Sequence, residues 1–485
     1  VAISRPGKAF IGQPRQVTGQ GARRPANSGA AFFARLRTPT CIRTEANLKQ
    51  HRSILAALAS LAALLGTPAG AKDVVIHAGM LIDGVSDAPR RQVSILVRDD
   101  RIVSVSPGFS SPAAAEVIDL SNATVLPGFI DCHVHIGAKL PSRTNATEDW
   151  LTHSALDRAF DAAVFTREML QQGFTSARDV GGSDETVAVR NAIDAGKIAG
   201  PRLWVSLEPL GPTAGHGDPR SGMDPGLSHP GWDNGIVDTP QQARIRVREH
   251  KGRGADLIKI MPSGGIASTG DDPRQQLMTN EEMQVAIETA HSLGMKVAAH
   301  IYPAGAIENA VRAGVDSVEH GSFATAETFN LMKARGTYLV PTLSVFDVFY
   351  VAARDHPELL TPGTAPKELA NDLLPKRNLP LAVKSGVKIA YGTDLGEGDH
   401  AMEFGLLIAN GMSATQALTA ATRNAADLMG ASDRIGSIQA GRFADIVATA
   451  GDPLQDPKEF EKVRFVMKGG VVYRRDGAVT AAGAQ

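Results

Sequence analysis

The chain has 485 residues, 43% of them hydrophobic and 21% charged, which is enough to bury a large core. Fifty basic side chains against 51 acidic ones leave a formal charge of −1, so no basic excess recommends a nucleic-acid partner. Of the only two cysteines, Cys41 lies in an N-terminal stretch not expected in the mature protein and Cys132 within Asp131-Cys-His-Val-His135, so no structural disulfide is expected and the compartment stays open on that count.

Residues 1–46 are rich in Arg, nearly free of acids and without a clear period. They are expected to lie upstream of the true start; a transit-like extension or a twin-Arg region at Arg23-Arg24 are the alternatives. Lys49, His51 and Arg52 then precede an apolar run from Ile54 to Leu65, followed by Ala69-Gly-Ala71. A basic region, about a dozen apolar residues and a small-residue cleavage site make a secretory signal peptide of about residues 47–71. The run is shorter than the ~20 residues of a spanning helix. The mature protein is therefore expected to be secreted or periplasmic with no stable membrane span, an uncleaved anchor being the alternative.

Short β-branched or alternating runs follow at Val74–His77, Val93–Val97, Ile102–Val105 and Glu116–Asp119, broken by turn residues such as Asp99-Asp100. The C-terminus answers with Ala444–Ala448, Val463–Met467 and Gly470–Tyr473. Residues 72–124 and 433–485 are expected to pair into one small β-sandwich made from both chain ends. Between them, residues 125–432 alternate strand and helix. Candidate strands are Val125–Ile130, Thr175–Asp179, Leu203–Ser206, Leu257–Ile260, Lys296–Ala299, Ser317–Glu319, Tyr338–Val340 and Lys388–Gly392. Helical patterns include Glu281–Leu293, opened by the cap residue Thr279, and Ala304–Ala313. Eight strands spaced by helices predict an α/β fold of the (β/α)8 TIM-barrel type.

Several of these strands end in residues that carry chemistry. Asp131-Cys-His133-Val-His135 follows the first, and alternation puts both imidazoles on one side of an extended chain, spaced to chelate one ion. Alone such a pair is a weak signal; its place after the first predicted strand strengthens it. Lys259 stands among Leu257, Ile258, Ile260 and Met261, where burying an ammonium costs several kcal/mol. Either a carboxylate pairs with it, or carbon dioxide carbamylates it into an anionic bridge between two metals. His300 and His320 end successive short apolar strands, singly ordinary core histidines but together candidate ligands. Asp394 ends Ile389-Ala-Tyr-Gly-Thr-Asp394, as a turn or cap residue or as a carboxylate facing a metal.

Taken in order, His133 and His135, Lys259, His300, His320 and Asp394 resemble the metal-dependent amidohydrolase superfamily, whose pattern runs His-x-His, Lys, His, His, Asp around the barrel. The likeness covers about residues 73–475. A narrower resemblance, to the imidazolonepropionase-like and prolidase-like branch with its ochratoxinase-type enzymes, rests on four stretches. They are Thr213-Ala-Gly-His-Gly-Asp218, Ile258–Gly265, Ser317-Val-Glu-His320 and Gly392-Thr-Asp394. The loop Leu395–His400 finds no clear counterpart in that branch.

The resemblance implies two divalent ions, expected to be Zn2+. One would be held by His133, His135 and Asp394, the other by His300 and His320, with carbamylated Lys259 shared. It implies hydrolysis of an amide bond that frees a C-terminal amino acid from a dipeptide or N-acyl amino acid. Ochratoxin A, cleaved to ochratoxin alpha and phenylalanine, has the same bond type. Asp394 would carry the proton from water to the leaving amine. His216 would contact the oxyanion or the substrate, or be a plain loop histidine. Tyr302 would contact a carboxylate, or only pack. Arg178 would bind a substrate carboxylate, or pair structurally with Asp179. The substrate is thus a small molecule, and relatives of this kind commonly form homo-oligomers. A cyclic-amide hydrolase and a non-catalytic barrel binding protein are the alternatives; deaminase relatives generally lack the lysine.

Overall fold

A computed structural model of the chain describes residues 73–484 apart from Asp87 and Asp372. The leader and signal-peptide expectations for residues 1–71 lie outside the described residues. Among the described residues no helix is long and apolar enough to cross a membrane.

The N-terminal strands are β1 (Asp73–Leu81), β2 (Arg90–Arg98), β3 (Arg101–Pro107) and β4 (Glu116–Pro127). β4 ends at Pro127, which cannot donate to a continuing ladder, and after Gly128 the chain starts β5 (Phe129–Val134). The expected first strand of the central region, Val125–Ile130, is therefore split between two sheets. Its second part runs four residues further than its sequence pattern suggested.

The central strands are β6 (Phe174–Asp179), β7 (Arg202–Val205), β8 (Leu257–Ile260), β9 (Lys296–Pro303), β10 (Ser317–Phe323) and β11 (Tyr338–Val340). They form a three-stranded sheet, β5-β6-β7, and a four-stranded one, β8-β9-β10-β11, all parallel. Such pairs need crossovers, and helices such as Ala155–Gln171, Asn280–Ser292, Ala304–Ala313 and Ala326–Arg335 supply them. The helix Asn280–Ser292 opens on a capping box in which Thr279 Oγ1 accepts from the Glu282 amide and Glu282 accepts from the Thr279 amide.

The eighth expected strand, Lys388–Gly392, lacks a regular ladder but is bonded on both sides. The Leu339 amide donates to Lys388 O at 2.9 Å and the Cys132 amide to Tyr391 O at 2.8 Å. An isolated bridge likewise joins Leu210, beyond β7, to Ile260 of β8. Gly392 has no room for a side chain: a Cβ there would run into Val340 and His133.

The C-terminal strands are β12 (Ile446–Thr449), β13 (Val463–Lys468), β14 (Val471–Arg475) and β15 (Ala478–Val479). The sandwich expected from the chain ends takes the form of one eight-stranded sheet, β15-β14-β13-β12-β4-β1-β2-β3. Its two-residue period serves two cores. Ile446, Ala448, Phe465 and Met467 pack with Val74, Ile76 and Ile95 of the N-terminal strands, while Val447 and Val466 join the cluster built on the helices and parallel strands.

Candidate active site

The ends of the parallel strands carry the polar residues that their apolar cores hold in place. β5 delivers His133 and, one residue past its end, His135. β8 delivers Lys259, while β9 and β10 run three residues beyond His300 and His320. These five, with His216, Tyr302 and Asp394, line one cleft of about 240 Å3.

Asp394 is the hub. Its Oδ1 lies 3.0 Å from His135 Nε2 and 3.2 Å from His133 Nε2, and its Oδ2 4.0 Å from His320 Nε2. Lys259 Nζ is 3.5 Å from His133 Nε2, and His320 Nε2 is 3.0 Å from His300 Nδ1. Asp394 (φ 63°) and His320 (φ 67°) both occupy the left-handed region, which non-glycine residues enter at a cost of about 1–3 kcal/mol. Bonds hold them there: the Asp394 amide donates to His133 O at 2.7 Å, and His320 Nδ1 lies 2.7 Å from Thr342 Oγ1.

Burial sets the electrostatics. It pushes His300 and His320 well below the ordinary imidazole value, and nearby positive charge, Lys259 included, pushes the same way. Both are thus neutral, with a lone pair free to ligate. Burial also pulls the Lys259 ammonium down to about 8. For Asp394 burial works the other way but is outweighed by His133 and His135, so the carboxylate stays ionised.

This donor set fits divalent metal. Ligand atoms of His133, His320 and Asp394 all lie within 4.8 Å of one another, with His135 and Lys259 at the distances above. Imidazole nitrogens and a carboxylate oxygen suit zinc and similar divalent ions.

Around this set lies a layer that the strand pattern did not single out. Glu319, fully buried, bonds His133 Nδ1 at 2.8 Å and Arg178 Nη2 at 2.9 Å. Arg178 also donates to Cys132 O and Ser317 Oγ and does not line the cleft. The substrate contact expected of Arg178 is therefore corrected to a structural one, and its partner is Glu319 rather than the adjacent Asp179. Buried Asp131 ties β5 to the Asp394 segment, accepting from the Thr393 hydroxyl at 2.7 Å and lying 3.0 Å from His400 Nδ1. His216 stacks on His300 with ring centroids 4.2 Å apart, and its Nδ1 meets Ser268 Oγ at 2.8 Å. Gly265 makes that stack possible, since a Cβ there would strike the His216 ring. Tyr302 lies flat against His320, with centroids 5.2 Å apart. Glu368, also missed, lines the cleft from the short helix Ala365–Asn371, which has no periodic signal of its own. Glu319 had a usable signal: a charged residue inside the apolar strand that precedes His320.

A strand-end cluster of imidazoles, a carboxylate and a buried lysine is a candidate metal site of hydrolase type. Comparison with known proteins gives its family. The family model described as the amidohydrolase family matches residues 124–473, and the chain belongs to that family. The chain is 33% identical to ochratoxinase of Aspergillus niger over 438 residues, 84% of this chain and 88% of that protein. Among solved structures it resembles a Xaa-Pro dipeptidase with bound methionine in its active site (TM-score 0.79, 34% identity, 83% of this chain and 100% of that one). It also resembles a prolidase complexed with N-methylphosphonate-L-proline (TM-score 0.76, 32% identity, 83% and 100%) and A. niger ochratoxinase (TM-score 0.73, 30%, 84% and 97%). Membership of the family makes the chain a hydrolase of amide carbon–nitrogen bonds and implies a TIM-barrel type fold.

Proposed function

We propose that this chain is a binuclear metal-dependent amidohydrolase that releases a C-terminal amino acid from dipeptides or N-acyl amino acids, with ochratoxin A as a candidate substrate. The observation that carries this reading is Lys259, buried 3.5 Å from His133 in a cleft that it shares with four more histidines and Asp394. Its likeness to a dipeptidase, a prolidase and ochratoxinase supports the bond type. Residues 125–432 are read as a closed (β/α)8 barrel, and 72–124 with 433–485 as its accessory β-domain.

In this reading His133, His135 and Asp394 would hold one ion and His300 with His320 the other. Divalent ions bound there, expected to be zinc, supply Lewis acidity toward the amide carbonyl and lower the pKa of water. Lys259, pulled down toward neutrality by burial, offers the free amine that adds carbon dioxide; its nitrogen forms the new bond to carbon and releases one proton. The product is an anion where the bare ammonium would repel cations. Asp394 accepts a proton from the attacking water and returns it to the leaving amine. His216, kept neutral by burial at a pKa of about 4, donates a hydrogen bond to the developing oxyanion. Tyr302, whose phenol burial keeps protonated, donates to the carboxylate of the leaving amino acid.

Lys259→Ala and Asp394→Ala are each expected to abolish hydrolysis of dipeptides and N-acyl amino acids varied at the C-terminal residue. Chelation should remove activity, and zinc should restore it with two ions per chain by elemental analysis. Full activity in Lys259→Ala without added short carboxylates would refute the bridging carbamate.

A further inference from the structure

The acidic groups of the cleft differ in what they already hold. Asp394 belongs to the imidazole cluster. Glu397 accepts from the Leu140 amide at 3.0 Å and from Arg143 at 3.0 Å. Glu368 is 4% exposed and lines the same cleft as Tyr302, Ile266, Val345, Phe346 and Phe349. Among the described residues its carboxyl has neither a hydrogen-bond donor nor an ion-pair partner.

The cations that could reach it are committed elsewhere. Lys367, next to it in sequence, donates to Gly265 O at 2.9 Å and to Asp271 Oδ1 at 3.1 Å. Lys139, on the cleft wall, is paired with Asp149 at 2.7 Å and Asp161 at 3.0 Å. Lys259 faces His133. A carboxyl so buried and without a partner, in a cleft lined largely by apolar and aromatic side chains, is costly. Burial accordingly pushes Glu368 up to about 8, only partly offset by Lys367. A cation brought in by a ligand would form the charge-assisted bond that the protein itself withholds.

We propose that Glu368 is a specificity-determining residue that recognises the α-ammonium group of a dipeptide, so that the site prefers dipeptides with a free amino terminus to N-acyl amino acids of the same shape. The proposal rests on the hydrolase reading above and narrows its substrate class. The carboxyl, uncharged in the empty cleft, gives up its proton to bulk water when the ammonium arrives; no other covalent bond changes.

The discriminating pair is L-alanyl-L-phenylalanine and N-propanoyl-L-phenylalanine, which differ only in the amino group. Wild-type kcat/KM should favour the dipeptide, and Glu368→Gln should lower that ratio at least tenfold, mostly through KM. Glu368→Asp, which keeps the charge, should recover part of it. A second readout is calorimetric binding to the metal-loaded protein of a phosphinic isostere of the dipeptide and of its des-amino counterpart. Wild type should bind the amino form more tightly, and Glu368→Gln should bind both alike. If neither amide is turned over but the isosteres still discriminate through Glu368, the hydrolase reading fails and the recognition stands. An unchanged ratio in Glu368→Gln, or isosteres that wild type does not distinguish, overturns the proposal.

Discussion

Glu319 shows how a single residue organises the centre. It is 0% exposed and joins His133 to Arg178, so it fixes the ring of one candidate ligand while neutralising a guanidinium that has no other ion-pair partner among the described residues. Arg178 and His133 hold it well below the ordinary carboxylate range, although burial alone would raise it. Removing one partner of such a group strands the other charges in low dielectric. Glu319→Ala is therefore expected to destabilise the fold by about 3–5 kcal/mol, read by urea denaturation, and to loosen His133. A loss under about 1 kcal/mol, within the range of an exposed pair, would mean that solvent reaches the pocket. Lys259, His133 and Asp394 were legible from residue type and place in the chain. Glu319 left a trace, a charge inside an apolar strand, but its partners are distant in sequence; Glu368 left none, because its meaning lies in having no partner among the described residues.

At the scale of elements, apolar runs located β6 through β11 to within a few residues, since buried parallel strands have continuous hydrophobic sequences. Two boundaries moved for local reasons. Pro127-Gly128 divides one apparent strand into β4 and β5, and the segment from Lys388 bonds to both neighbours without a regular ladder before the chain turns at left-handed Asp394. Helix starts were better specified, because caps are local chemistry. Thr279 and Glu282 satisfy each other's amides at the head of Asn280–Ser292, a helix that packs Met283, Ala286, Ile287 and Ala290 into the core. Thr279→Ala should cost about 1 kcal/mol in thermal or chemical unfolding, while Thr279→Ser should cost much less. Equal losses in the two variants would place the effect in the threonine methyl rather than the cap.

At the scale of the whole molecule, the strands of the chain ends and the parallel strands share a seam. Phe404, 0% exposed, stacks on Phe460 at 4.2 Å and meets Phe129 edge-on at 5.0 Å; Phe129 in turn touches Phe174. Phe129 and Phe174 open the strands that carry His133 and Arg178, whereas Phe460 belongs to the C-terminal segment between β12 and β13. Phe404→Ala should cost about 3–5 kcal/mol and lower the unfolding temperature of the entire described unit in one transition. Two separated transitions would show instead that the terminal sheet melts independently. By itself the sequence determined the alternation of strand and helix, the pairing of the two chain ends and the set of ligand-type residues, because periodicity and side-chain chemistry are written locally. Only the tertiary structure decided that Arg178 is spent on Glu319, that His216 lies over His300, and that Glu368 lines the cleft with no partner among the described residues. Each of these depends on which distant residues burial brings together.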